Sequence, residues 1–578
     1  MKNYYAKGKK DGFSLKLWRG ERMCLLGFDV DNPEPDFVGF AVEYLEPGTK
    51  KWKNLRNRIN FSYDQPVDGW RNWPTTAAPL QKFRWIHFPW EPRAGKYTYK
   101  VTKMHMPADG KLIRGTSIKR SISLDPVTYP GFLDVGFTRN FASSQAFLSY
   151  EQSHKVKQPI IPNLADEGLD FVADKVRLAP TGIHDWLGFE GYDLLFGFLD
   201  EAVNDPTIEV DAMVYDINEP DIVALLEALG PRLRAIIDNS FNTKKGVKKG
   251  HVLPNSAETR TAERLDNSAG PDRIIRGRFR GLQHNKVFIS KRNGIPFKVL
   301  AGSTNFSFRG LYIQANNVLV FSDADIAQLF GQMFEVAFVD MTNFNKHPLA
   351  SKWHLVKPDG LPAVHICFSP HKSPDLALGP VGGAIDQADS SVFYAIAFLY
   401  QTKSGAVKAA LDRLIKRPVF SYGVSDKKGS LELKKPDGSK GLVDFVYLAK
   451  NAPEPFKSEW KGGRGINIHH KFVVTDFNKP TAKVFTGSSN LSPSGERNNG
   501  DHLIMIQDQR IATAFAIEAL RIFDHLHFRV RMKEAGSKAP KKLVLEKPTA
   551  ISGKKNAWFD RYYVPDSQRS RDRKLFSS

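Results

Sequence analysis

The sequence predicts a mixed α/β protein: two homologous α/β/α sandwich halves related by a pseudo-two-fold axis, preceded by an all-β sandwich. Three observations predict it. Short alternating segments dominate the first 125 or so residues, strands alternating with amphipathic helices follow from about residue 190, and an internal repeat carries position 284 onto position 469, an offset of 185.

The N-terminal region comes first in this order. Met23 to Phe28 and Val38 to Val42 are apolar runs between turn residues, and Gly95 to Val101 puts Tyr97, Tyr99 and Val101 on one face. Ser117 to Leu124 alternates likewise. Strand side chains point to opposite faces in turn, so a period of two marks strands with one buried face, as in antiparallel sandwiches. Residues 1–125 are assigned to such an accessory domain, which resembles immunoglobulin-like and fibronectin-like sandwiches.

Ile208 to Tyr215, Pro220 to Leu229 and Ala235 to Asp238 then read as strand, helix and strand. At the offset of 185, Tyr215 falls on Tyr400, Ala224 on Ala409, Leu226 on Leu411 and Leu229 on Leu414. The same offset brings His284 onto His469, Lys286 onto Lys471, Gly302 onto Gly487, Ser303 onto Ser488 and Asn305 onto Asn490. Leucines coincide by chance; a His, Lys, Gly, Ser and Asn at fixed spacing do not. The halves are placed at residues 126–355 and 356–535, followed by a basic tail at 536–578. The tail aromatics Trp558, Phe559, Tyr562 and Tyr563 are expected either to dock on the body or to meet a membrane interface.

Gln283 to Ile289 and Ile468 to Val474 are β-branched and aromatic runs, read as strands. Alternation then projects His284 with Lys286 and His469 with Lys471, and turns His470 to the opposite face for a structural role. Second strands are expected over Phe297 to Ala301 and Ala482 to Thr486, each ending in Gly-Ser-x-Asn. Two facing sets would offer two imidazoles, two ammonium groups and two amides to one tetrahedral anion, an inventory suited to phosphoryl transfer without a metal.

These residues resemble the phospholipase D superfamily. Its HxKx4D, GSxN and later acidic positions are matched by His469, Lys471, Asp476, Gly487, Ser488, Asn490 and Asp501. The first copy keeps His284, Lys286, Gly302, Ser303 and Asn305 but has Lys291 at the motif aspartate and Asn316 at the later acid. The resemblance covers roughly residues 130–530 and implies a covalent phosphohistidine. It implies further that each histidine is oriented by the opposite half, His284 by Asp501 and His469 by Asn316. Because only His284 then has a carboxylate partner, His284 is expected to be the nucleophile and His469 the general acid. Lys286, Lys471, Ser303, Ser488, Asn305 and Asn490 are expected to hold the phosphate, with Asp476 and Asn316 in support.

The chain has 578 residues, 41% hydrophobic and 25% charged, with no apolar run of the roughly 18 residues that a spanning helix needs. The first residues lack a signal-peptide pattern, so a cytoplasmic protein is expected, at most peripheral to a membrane. Cys24 and Cys367 stand alone and are expected as buried thiols. No acidic or histidine cluster shows metal-ligand spacing, so no metal and no cofactor are expected. The balance of 83 basic and 62 acidic residues, net +21, attracts polyanions. Basic loops at Asn242 to Gly250 and Ser425 to Lys440 are expected to rim the site. The substrate is an anion: a phospholipid cleaved to phosphatidate is placed slightly ahead of a nucleic acid cleaved by a nuclease. An inactive anion-binding adaptor, in which the first half has lost its acids, is the third reading. One chain carries both halves, so a monomer suffices for catalysis; the sandwich is left for an unidentified partner.

Overall fold

The computed structural model describes residues 4–62, 73–139, 154, 160–162, 164–171, 182–244, 246–426, 442–444, 468–537 and 544–578. It is a mixed α/β structure with several sheets.

The N-terminal region holds two four-stranded antiparallel sheets. One runs Tyr5–Lys10, Phe13–Arg19, Cys24–Val30 and Arg84–His87; the other runs Ile113–Ser123, Lys96–His105, Phe37–Leu45 and Lys53–Asn54. Alternation decides what is inside: Phe13, Leu15 and Leu17 from one sheet and Val42, Tyr97, Tyr99 and Val101 from the other share one core. Cys24 lies in that core and Cys367 in the core of the second half, both as free buried thiols.

Two eight-stranded sheets follow, and their strand orders correspond place for place. The first runs Thr128–Tyr129, Leu133–Phe137, Asn317–Phe321, Ile295–Gly302, Val287–Arg292, Ile208–Val214, Leu233–Asp238, Ile274–Gly277. The second runs His354–Val356, Ala363–Ser369, Asp501–Gln507, Lys483–Gly487, Lys471–Thr475, Ser391–Ile396, Phe420–Ser425, Leu442–Asp444. The last three strands of each are mutually parallel, which requires crossover connections. The helices Pro220–Leu229 and Ala406–Lys416 supply one crossover in each sheet. Pro220 opens the former helix and the Glu219 carboxylate accepts from the Ile222 N–H at 2.7 Å, so the helix starts where the sequence places it. Ile222, Val223, Leu226 and Leu229 form its buried face, and Val407, Ala410, Leu411 and Leu414 the corresponding one.

The repeat is not free of gaps. Val287 pairs with Met213, whereas Phe472, 185 positions later, pairs with Ala395, so the strand Ser391–Ile396 stands at an offset of 182 from Ile208–Val214. The difference is taken up after that strand, where the second half inserts the turn Leu399–Gln401 before its helix. Tyr400 sits on this turn, and its match with Tyr215 is a coincidence of counting.

The tail docks on the body. Trp558 and Phe559 are buried in the sandwich core, with the Trp558 indole donating to the Phe37 carbonyl at 3.0 Å. The closing helix Gln568–Ser577 wedges between sandwich and second half: Phe576 is wholly buried, and Arg84 is gripped by Asp572 at 2.8 Å and by Asp524. The Trp558 and Phe559 rings are therefore unavailable to a membrane surface, because the sandwich core has already removed them from water. Among the described residues, no helix is long and apolar enough to cross a membrane.

Candidate active site

The halves are stitched together at the site itself. Gln283 bridges Gly500 and Ile468 bridges Ala315, so the His284 N–H donates to Gly500 O at 2.9 Å and the His469 N–H to Ala315 O at 3.1 Å. The first His-x-Lys segment thus lies just ahead of the strand Val287–Arg292, and in the second His469 and His470 lie just ahead of the strand that Lys471 opens, not within it as the sequence suggests. Both segments are extended because each pairs with the other half before joining its own sheet. Alternation survives. Asn285 turns away and bonds His502 at 3.0 Å, while His470 turns away to Asn317 at 3.3 Å and Glu518 at 3.1 Å.

Both imidazoles open into one cleft of about 950 Å³, also lined by Asn305, Asn490, Tyr215 and Phe398. His284 Nδ1 bonds Asp501 Oδ1 at 2.7 Å, and the Ser488 hydroxyl donates to the same oxygen at 2.7 Å. In the other half His469 Nδ1 bonds Asn316 Oδ1 at 2.9 Å, and the Ser303 hydroxyl donates to that oxygen at 2.8 Å. The Asn316 amide cannot be turned round, because its Nδ2 donates to Gly310 O at 2.8 Å. Both rings therefore carry a proton on Nδ1 and turn Nε2 to the cleft, as a lone pair where the ring is neutral and as an N–H where it is protonated.

Ser303 and Ser488 do not reach the cleft. Their hydroxyls donate to Asn316 and Asp501 and accept from the Asn317 and His502 N–H groups, so they set the histidine partners and do not hold phosphate. The glycines before them are needed where they stand. Gly302 has φ +143° and Gly487 φ +147°, and an added Cβ would lie 2.5 and 2.4 Å from the carbonyls of Asn317 and His502.

Lys286 and Lys471 are buried beside the imidazoles, their ammonium groups donating to the carbonyls of His284 and His469. Lys286 sits 4.6 Å over the Tyr215 ring and Lys471 6.0 Å from the Phe398 ring, so Phe398 is the spatial counterpart of Tyr215. Burial pushes the Lys286 ammonium down to about 8, and burial with the neighbouring Lys286 charge holds Lys471 well below the usual lysine range. His469 lies well below its ordinary value through burial and both lysines. His284 is lowered by burial and Lys286, with Asp501 pulling the other way. Asp501, although burial pushes it up, is held below the usual carboxylate range by His284 and Lys286. An arriving phosphate diester would neutralise a cluster short of anions.

Asp476 and Lys291 occupy matching places away from this chemistry. Asp476 accepts from the Ser390 and Ser391 N–H groups at 2.9 and 3.2 Å, fixing the start of a neighbouring strand. Lys291 instead pairs with Asp211 at 2.8 Å on the adjacent strand. The motif acid, which caps backbone N–H groups in the second half, is thus replaced in the first by a lysine paired with Asp211, away from the histidines.

Sequence reasoning missed three features. Asp238 and Asp426, at matching strand ends, accept the N–H groups of Gln283 at 2.7 Å and Ile468 at 3.2 Å, and so place the residue ahead of each histidine. Their only sequence signal is an acid closing an apolar strand. Asp216, which takes the Asn305 amide Nδ2 at 2.6 Å, has no acidic counterpart among the described residues of the second half. Asp216 also belongs to a cluster with His251 and Glu258 whose donor atoms lie within 4.8 Å of one another, contrary to the expectation of no metal-ligand cluster. No spacing rule finds it, because three separate elements supply it. Bonds to Asp216 and Asp238 raise His251 to about 11 against the effect of burial, and burial raises Glu258. Of the basic loops, Phe241–Lys244 and Val247–Gly250 form a hairpin, whereas Lys245 and residues 427–440 lie outside the described residues.

No protein-family model matches the chain, and no curated protein matches it. Solved structures do. A polyphosphate kinase from Porphyromonas gingivalis is 14% identical with a TM-score of 0.37, covering 59% of this chain and 45% of its own, so this chain spans less than half of that protein. A phosphatidylserine synthase from Haemophilus influenzae Rd KW20 is 12% identical with a TM-score of 0.39, covering 67% and 93%. Nuc from Salmonella typhimurium, described as a phospholipase D family member, is 22% identical with a TM-score of 0.19, covering 24% and 84%.

Proposed function

We propose that the chain is a phospholipase D-type phosphodiesterase with one active site shared by two pseudo-symmetric halves. The observation that carries this is the crossed pairing of His284 with Asp501 and His469 with Asn316 at a single cleft. His284 Nε2 attacks phosphorus and the P–O bond to the leaving alkoxide breaks as His469 Nε2–H gives it a proton. A water then attacks the phosphohistidine, its proton passing to His469 Nε2, and His284 is released. Asp501 stabilises the cationic ring that forms on His284, while Lys286, Lys471, Asn305 and Asn490 offset charge on the phosphoryl oxygens. Neither step calls on a metal.

The substrate favoured is a nucleic acid phosphodiester, reversing the order expected from the sequence. Arg309, Lys403 and Arg497 stand on the cleft wall, Lys248 and Lys249 lie on the neighbouring hairpin, and most residues lining the wall are of polar type. The aromatic residues Trp558 and Phe559, which gave the lipid reading its membrane contact, are packed inside. The test incubates EDTA-treated protein with phospholipid vesicles and separately with labelled single- and double-stranded oligonucleotides. Oligonucleotide cleavage inhibited steeply by salt supports the reading. Released headgroup selects the lipid substrate, and binding without turnover selects the adaptor.

A further inference from the structure

We propose that the first-half wall of the cleft binds a divalent transition-metal cation through His251 Nε2, Asp216 Oδ1 and Glu258 Oε1. The site shares the cleft and Asn305 with the proposed reaction, but cation binding does not depend on that reaction taking place. Asp216 follows the strand Ile208–Val214, His251 follows the hairpin strand Val247–Gly250, and Glu258 is in the first turn of the helix Ala257–Ala269. His251 Nε2 lies 3.1 Å from Asp216 Oδ1 and 3.8 Å from Glu258 Oε1. Donors each roughly 2.1 Å from a tetrahedral ion stand about 3.4 Å apart; the two His251 distances bracket that, and the set, whose donor atoms lie within 4.8 Å of one another, closes on an ion by rotation of the carboxylate side chains.

The ring has a carboxylate at each nitrogen, so a cation at Nε2 takes the place of the proton now shared with Asp216. Its other nitrogen, Nδ1, bonds Asp238 Oδ2 at 2.8 Å, and Ser240 donates to the same oxygen, so a carboxylate behind the imidazole fixes which nitrogen faces the two acids. The hydrogen bonds of Arg276 do not use up these acids: it donates to the carbonyl oxygens of Asp238 and His251 and to the Thr259 hydroxyl.

A second observation points the same way. Asn305 is 3% exposed, its Nδ2 bonds Asp216 Oδ2 at 2.6 Å, and its Oδ1 has no hydrogen-bond partner. A half-turn of the amide exchanges the two atoms and brings an oxygen toward Asp216, which is favourable when a cation lies between them. One imidazole with carboxylate and amide oxygens suits Zn²⁺ or Mn²⁺ better than Ca²⁺. Asp238 also takes the Gln283 N–H, one residue before His284, so an ion on His251 stiffens the support of that histidine. The second half has Phe398 in the place of Tyr215 and no counterpart of Asp216, so one site per chain is expected among the described residues.

The experiment is Zn²⁺ titration calorimetry on the chelator-stripped full chain, with His251→Gln, Glu258→Gln and His469→Asn, each checked for folding by circular dichroism. One Zn²⁺ per chain is expected in the unaltered protein and in His469→Asn, with Kd raised at least tenfold in Glu258→Gln and binding abolished in His251→Gln. No binding, binding left unchanged by either cluster variant, or binding lost in His469→Asn would overturn the proposal. If His251→Gln does not fold, Glu258→Gln decides alone, since it keeps the shape of the side chain and the bond it accepts from the Ile217 N–H is a long one of 3.4 Å.

Discussion

Asp501→Asn removes a charge from the site with little change of shape, and the protein itself contains the control. In the other half Asn316 Oδ1 already accepts from both a serine hydroxyl at 2.8 Å and a histidine Nδ1 at 2.9 Å, the two bonds Asp501 makes at 2.7 Å. An asparagine at 501 can reproduce that arrangement, so tautomer and ring position are kept and the carboxylate charge alone is lost. Exchanging a hydrogen bond to a charged acceptor for a neutral one costs roughly 1–2 kcal/mol. Coulomb attraction to the cation forming on His284, about 4 Å away at an effective dielectric near 20, adds up to about 4 kcal/mol, which surrounding relaxation reduces. A net loss of about 2–4 kcal/mol corresponds to a fall in kcat of roughly 30- to 1000-fold. The assay is p-nitrophenol release from bis(p-nitrophenyl) phosphate across pH. Because Asp501 is the group raising His284 against burial and Lys286, its loss lowers the His284 pKa further. The acid limb of kcat/KM should therefore move to lower pH. Activity within threefold of the unaltered protein, or an acid limb moving upward, would refute this account of His284.

The other predictions concern the remaining groups. His284→Ala should prevent any acid-quenched phosphoenzyme, while His469→Ala keeps measurable turnover of p-nitrophenyl esters and loses that of alkyl esters; phosphate trapped on position 469 would reverse the roles. Both imidazoles are lowered from about 6.5, so the kcat/KM optimum is expected below pH 6.5, and Asn316→Asp should shift it upward by supplying His469 with a carboxylate. Lys286 titrates near 8 and is neutral above that, so vanadate inhibition should weaken as pH rises through 8, seen as a rising Ki. Trp558→Ala leaves a void in the sandwich core and should lower stability by about 3–5 kcal/mol in urea unfolding, with kcat unchanged.

The parts of the site that sequence reveals are those governed by local rules. A period of two placed His284 with Lys286 and His470 on the opposite face, and a fixed spacing matched Gly302 with Gly487, where the close carbonyl approach excludes any side chain. What it missed depends on contacts between elements far apart in the chain. Asp238 and Asp426 act on backbone N–H groups 45 and 42 positions away, and no local pattern records that. Ser303 and Ser488 look like phosphate ligands until the strand geometry turns their hydroxyls to Asn316 and Asp501. The tail reads as basic with an aromatic clump able to dock or to meet a membrane, and only the structure shows Trp558 and Phe559 in the sandwich core and Phe576 buried beside the second half. Lys291 reads as damage to a motif, and becomes intelligible only beside Asp211.

The most direct measurement is a crystal structure of the protein grown with orthovanadate. The account predicts a single vanadium in the cleft, bonded to His284 Nε2 at one apex, with an apical oxygen on the opposite side hydrogen-bonded to His469 Nε2 and equatorial oxygens met by Lys286 and Lys471. Two separate anions, one on each half, or a vanadium bonded to His469 with His284 turned away, would contradict it.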